Sequence, residues 1–195
     1  DRTREPEYLR ARSVGRVFQD PLGGTAAEMS VEDNLAVAAR KGAKRLSIAV
    51  TAARKAEFRR RLAELDMGLE DRMKENVGRL SGGQRQALTL LMAVLARPSV
   101  LLLDEHTAAL DPANAEKVLA LTEKFAAEYG LAVLMVTHDM ARAIAVGTRL
   151  VMMDRGEIIM DVRGKEKSGL TVEGLVSRFR ALRKHEFAGD RSLLA

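Results

Sequence analysis

An apolar run, Val100 to Leu103, ends in two adjacent acids, Asp104 and Glu105. A carboxylate at the end of a buried strand can hold Mg²⁺. A second carboxylate beside it can polarise an attacking water. A later apolar run, "LAVLMVT", ends in Thr137 and is followed by His138, whose imidazole could contact a terminal phosphate or orient that water. Upstream stands "SGGQ", Ser81 to Gln84, directly before a helical pattern. Gly82 and Gly83 let the backbone approach a ligand closely. The first amides and the dipole of the helix that follows attract an anion, and Ser81 adds a hydroxyl donor. Each cluster also has an ordinary reading: a solvated strand-end turn, a structural histidine, a glycine turn capping a helix. Taken one at a time, the residues leave both readings open.

The elements that would position these residues are legible from periodicity. Ser13 to Gln19 reads as a short strand. Ser30 reads as an N-cap with Asp33 three residues on. Thr51 to Asp66 has apolar residues at helical spacing and a charged opposite face. A helix is predicted from about Gln84 to Leu95. Val100 to Leu103 reads as a strand buried on both faces. Asp111 and Pro112 open a helix that runs to about Tyr129, where Gly130 stops it. "LAVLMVT" is a second strand, parallel to the first if the crossover is right-handed. A short helix from Met140 to Val146 and a hairpin, "RLVMMD-RG-EIIMDV", follow. Thr171 starts a last helix, predicted over about 171–184. The stretch 41–50 has no clear assignment. In parallel α/β sheets ligands bind beyond the carboxyl ends of the strands, which is where the acid pair and the Thr-His pair fall.

With 195 residues, the chain is long enough for one domain or for a core with a small subdomain. Apolar residues make up 47% and charged ones 30%, a globular balance. The net charge of +5 suits nucleic acid, an anionic membrane, a phosphorylated ligand or simply a solvated surface. Aromatics are only 4%, so a stacking platform for single-stranded nucleic acid is not expected. Cysteine is absent, which excludes disulfides and thiolate metal sites. No apolar run approaches the roughly 20 residues of a membrane span.

The order of the motifs carries a resemblance. "VFQDP" precedes "LSGGQRQ", then come "VLLLDE", "AALD" and "VTHD". This series resembles the ATPase subunit of an ATP-binding-cassette (ABC) transporter, from about Val14 to about Val162. The resemblance implies an α/β P-loop NTPase fold with a parallel-sheet core and a helical signature subdomain. The subdomain would span about 30–97 and the catalytic core about 13–20 and 98–162, within one partial domain, 1–195. Gln19 matches the Q-loop glutamine, a catalytic and metal-contacting residue. Leu80 to Gln84 match the family signature. Asp104 matches the Walker B aspartate that holds the metal, Glu105 the catalytic glutamate, Asp111 the D-loop, and His138 the switch histidine.

Further expectations rest on the resemblance alone. The cofactors would be ATP and Mg²⁺. Ser81, Gly82, Gly83, Gln84 and Asp111 would contact nucleotide, with the signature serving a nucleotide held by a second ATPase subunit, head to tail. The glycine pair and the acid pair would then belong to two composite sites. The other partners would be transmembrane permease subunits and, indirectly, a substrate-binding protein; nucleic acid would not be one. The location would be peripheral, on the cytoplasmic face of a bacterial inner membrane. A phosphate loop, G-x-x-x-x-G-K-S/T, should precede Gln19, but the eighteen residues before it do not contain one. The chain is therefore expected to be a fragment that binds ATP poorly by itself. His106 stands where the family usually has proline. The motifs resemble bacterial importers of amino acids or other small solutes. The rival readings are a soluble, non-transport ABC ATPase and a non-catalytic module that contributes only its signature.

Overall fold

The computed structural model describes residues 2–40 and 50–181. All of the unassigned stretch 41–50 except Val50 lies outside them. The chain divides into two compact units, Asp1–Val136 and Thr137–Ala195.

The first unit contains α1 (Glu7–Arg10), β1 (Val14–Val17), α2 (Val31–Ala38), α3 (Ala52–Ala63), α4 (Gly82–Leu95), β2 (Val100–Asp104), α5 (Pro112–Tyr129) and β3 (Ala132–Val136). Its strands form one parallel sheet in the order β1-β2-β3. Gly130, at a left-handed φ of 61°, ends α5 as its sequence position predicts. Ser30, Thr51 and Asp111 each accept a hydrogen bond from the backbone N–H three residues on, which starts α2, α3 and α5. Buried Asn34 accepts from the Ala26 N–H and donates to the Ala26 and Ser30 carbonyls. Its satisfied amide holds the segment ahead of α2 in place.

Val17, Leu101 and Leu103 share one apolar core with Leu88 and Leu91 of α4 and Val118 and Phe125 of α5. The opposite sheet face differs from expectation. Val100 and Leu102 are half-buried, not enclosed on both sides. Register places Leu102 between Arg16 and Leu134, and Asp104 beside Val136. Leu134 and Val136 are 60% and 53% exposed, so that face is only partly covered.

The second unit contains α6 (Met140–Ala145), β4 (Arg149–Asp154), β5 (Glu157–Arg163), α7 (Gly164–Ser168) and α8 over 172–181. The predicted hairpin is present, with Arg155 and Gly156 between its strands and an irregularity between Met152 and Met153. Leu150, Val162 and Leu175 form its own small core. The predicted end of the last helix, at about 184, lies outside the described residues.

Candidate functional site

The parallel sheet brings two expected residues together at its carboxyl end. Gln19 follows β1 and Glu105 follows β2. Gln19 Nε2 donates to Glu105 Oε2 at 3.4 Å; Gln19 is exposed and Glu105 half-buried. Glu105 takes a left-handed backbone conformation, φ 45°, which is sparsely populated for a residue with a side chain and clusters at functional sites. Its N–H still donates to the Val136 carbonyl at 3.0 Å, one residue past the β2–β3 ladder. The backbone is thus fixed on β3 while the chain turns and aims the carboxylate.

Behind this turn, His106 is 2% exposed. Its Nε2 lies 3.3 Å from Thr122 Oγ1 on α5. The Thr122 hydroxyl donates to the Val118 carbonyl at 2.9 Å, so the imidazole N–H is the donor to threonine. The residue that departs from the family pattern is a buried anchor of the turn that carries Glu105.

Asp104 is half-exposed, and the guanidinium of Arg16 lies 3.5 Å from its Oδ2. The same guanidinium stacks 4.5 Å from the Phe18 ring centroid. Arg16 was not singled out by its sequence position. Its relevance depends on register, which pairs Arg16 with Leu102, two residues before Asp104 on the same face.

At the glycine pair, the helix starts two residues earlier than periodicity suggests. Ser81 is the N-cap of α4, so Gly82 and Gly83 occupy its first turn. Ser81 Oγ accepts from the Gln84 N–H at 3.3 Å, and Gln84 Oε1 accepts from the Ser81 N–H at 3.2 Å, a reciprocal capping box. Ser81 therefore keeps its hydroxyl proton to donate. The Gln84 side chain is committed to the protein: Oε1 also accepts from Arg72 at 2.9 Å, and Nε2 donates to the Met67 carbonyl at 3.1 Å. Arg72 in turn binds Glu75 at 2.6 Å, and this bond holds the Glu75 carboxyl below its ordinary range. Arg85 donates to the carbonyls of Val77, Gly78 and Leu80, which fixes the approach to the signature.

The two glycines differ. Gly82 is exposed, and a Cβ there would meet only Leu110 Cδ2, at 3.7 Å. Gly83 is buried, and a Cβ would fall 2.5 Å from Asn114 Cγ on α5. Asn114 Nδ2 also donates to Asp111 Oδ2 at 2.6 Å, and its N–H to Asp111 Oδ1 at 3.1 Å. The Asn114 side chain, then its backbone amide, hold the Asp111 carboxyl below its ordinary range. A small steric and polar joint thus links the first turn of α4 to Asp111 at the start of α5.

His138 belongs to the second unit, where it is exposed between β3 and α6. The turn around it is well built: Thr137 Oγ1 accepts from the Asp139 N–H at 3.1 Å, and Asp139 caps α6 by accepting from the Arg142 N–H at 3.1 Å.

The α/β fold with its parallel sheet is that of solved ATP-binding cassettes. CbiO1 from Clostridium perfringens, described as part of the ABC transporter complex cbiONQ, superimposes with a TM-score of 0.67 over 95% of this chain and 72% of its own, at 24% identity. Residues 2–108 match the ABC transporter family. The tyrosine transport ATP-binding protein of Clostridioides difficile is 45% identical over 174 residues, 89% of this chain and 69% of that protein. The aliphatic sulfonates import ATP-binding protein SsuB 2 of Agrobacterium fabrum is 41% identical over 104 residues, 53% of this chain and 40% of that protein. The chain belongs to the ABC transporter family, as an ATPase subunit.

Proposed function

We propose that the protein containing this chain is the ATP-hydrolysing motor subunit of a bacterial importer for a small solute such as an amino acid. The observation that carries the reading is the meeting of Gln19 and Glu105, 3.4 Å apart, at the carboxyl ends of adjacent parallel strands. Asp104 stands beside them. The transport functions carried in the names of the relatives, for tyrosine and for aliphatic sulfonates, support import of a small solute.

Asp104 and the Gln19 amide oxygen are hard oxygen donors of the kind Mg²⁺ takes. Among the described residues no group of three or more His, Asp or Glu side chains converges on one point. That suits an ion held by one or two protein oxygens together with phosphate oxygens and water. When bound, Mg²⁺ neutralises charge on the phosphates. Glu105 orients the attacking water and takes its proton. Ser81 and the exposed Gly82 amide present donors to the γ-phosphate of a nucleotide held by a second subunit, head to tail, where developing charge is stabilised. Gly83, Gln84 and Asp111 set the signature's position. Among the described residues no helix is long and apolar enough to cross a membrane. The subunit would work on the cytoplasmic face, docked on permease subunits that a substrate-binding protein supplies.

In the whole protein, Glu105→Gln should keep ATP binding and lose roughly 10²–10⁴-fold in hydrolysis, the range of general-base effects. Parallel measurements of nucleotide binding and phosphate release check this. Near-normal turnover in that variant would sink the assignment.

A further inference from the structure

Gln86 is 1% exposed on α4. Its Nε2 donates to the carbonyl of Phe18 at 3.3 Å, directly ahead of Gln19. Its Oε1 is buried with no hydrogen-bond partner among the described residues. One helical turn further along α4, Thr89 presses on the other flank of the same loop: a Cβ at Gly24 would fall 2.8 Å from Thr89 Cγ2. Gln19 itself reaches Glu105. The helix whose first turn is the signature therefore bonds the main chain directly ahead of Gln19 and approaches the loop after it closely at Gly24.

An amide is an expensive way to fill this position. A buried polar atom without a partner costs free energy that an apolar side chain of similar volume does not. A residue retained only for packing would be leucine or methionine. The single bond that the amide does make falls on the loop bearing Gln19. We infer that Gln86 is a positioning residue: it ties the signature helix to the main chain of the Q-loop, so that Gln19 meets Glu105 only while α4 is in place. The inference rests on the proposed ATPase function for its consequence, though not for the tether itself.

The test is Gln86→Leu in the whole protein, read by amide hydrogen exchange, thermal melting and steady-state ATP hydrolysis. A purely structural glutamine predicts a lower Tm. A positioning glutamine predicts an unchanged or higher Tm, because the unpartnered oxygen is gone. Exchange at residues 18–20 should quicken about tenfold while α5 stays protected, since local opening reports local stability. The kcat should fall about tenfold or more with KM for ATP within about twofold, the pattern of an interaction realised in the transition state. Gln86→Met repeats the test if the leucine variant does not fold. Unchanged exchange at 18–20, or exchange that rises equally in α5, overturns the inference, and so does failure of both variants to fold. A wild-type protein that hydrolyses no ATP refutes the proposed function instead, and the exchange data still decide the tether.

Discussion

The glycines of the signature have opposite jobs, which their identical side chains conceal. Gly83 is required by Asn114, whose Cγ, Oδ1 and Cβ would all lie within 2.9 Å of an added methyl. Gly82 faces outward with room to spare. Gly83→Ala is therefore expected to destabilise the protein by about 1–3 kcal/mol, the usual cost of overpacking. Gly82→Ala should be neutral or stabilising by up to about 1 kcal/mol, because alanine restricts the unfolded chain. Asn114→Ala should remove the two closest clashing atoms, Cγ and Oδ1, while keeping the Cβ at 2.9 Å, so the pair Gly83→Ala and Asn114→Ala should be less destabilised than the two single changes added. Denaturant melts of the four variants check this; equal effects of alanine at both glycines would refute the steric assignment. The order of motifs points to Gln19 and Glu105, which lie 3.4 Å apart; the capping box at Ser81 was not anticipated, because periodicity starts the helix only at Gln84. Arg16, Asn114 and Gln86 were not legible, because each depends on a contact distant in sequence: a strand register, the approach of α5 to α4, and a loop carbonyl 68 residues away. A polar residue inside an apolar helical stripe gives no sign of which main chain it will meet.

At the scale of elements, the C-terminal end of α3 and the turn after it are joined to α5 by two ion pairs. Arg61 on α3 reaches Glu128 at 3.1 Å and lies over the Tyr129 ring. Lys117 on α5 reaches Asp66, past the end of α3, at 2.8 Å. Arg61 holds the Glu128 carboxyl below its ordinary range, and Lys117 does the same to Asp66. Because both folded-state values are lowered, these pairs contribute fully above the ordinary carboxylate range. Their contribution is lost as pH falls through the folded values. Stability should therefore decline on acidification, not on alkalinisation. Glu128→Gln should flatten that acid limb and cost about 0.5–1 kcal/mol at neutral pH, the scale of a partly exposed pair. Thermal melts between neutral and acidic pH check it; an unchanged acid limb would remove the pairing from the account. The helices themselves follow their sequence signals closely, since caps and stop residues act locally. The sheet does so less well. The apolar run of β2 suggests burial on two faces, yet coverage depends on what packs against Leu102, Leu134 and Val136, and no strand's own pattern specifies that.

At the scale of the molecule, the central question is which subunit's signature serves which nucleotide. In sequence the signature opens α4 and the acid pair closes β2; in the head-to-tail arrangement proposed above, one chain contributes to two sites. In a head-to-tail dimer, the Glu105 of each subunit works with the Gly82 of the other. Gly82→Asp would place a carboxylate against the γ-phosphate, where like charges repel strongly in a desolvated site. A mixed dimer joins one Gly82→Asp subunit to one Glu105→Gln subunit. Under the head-to-tail arrangement, the pocket using the mutant glutamate also receives the mutant signature, and the second pocket is intact. Lesions that fall in one functional unit do not add, so the mixed dimer should hold one nucleotide normally and keep up to roughly half of the wild-type rate. If the two pockets fire only together, the rate falls further, but tight nucleotide binding at the intact pocket persists. If Glu105 and Gly82 instead served one nucleotide within one chain, each pocket would carry one lesion. Neither would then show both normal binding and turnover. Counting bound nucleotides and measuring phosphate release on purified mixed dimers separates the two arrangements. A dimer with no undamaged pocket would refute the head-to-tail site.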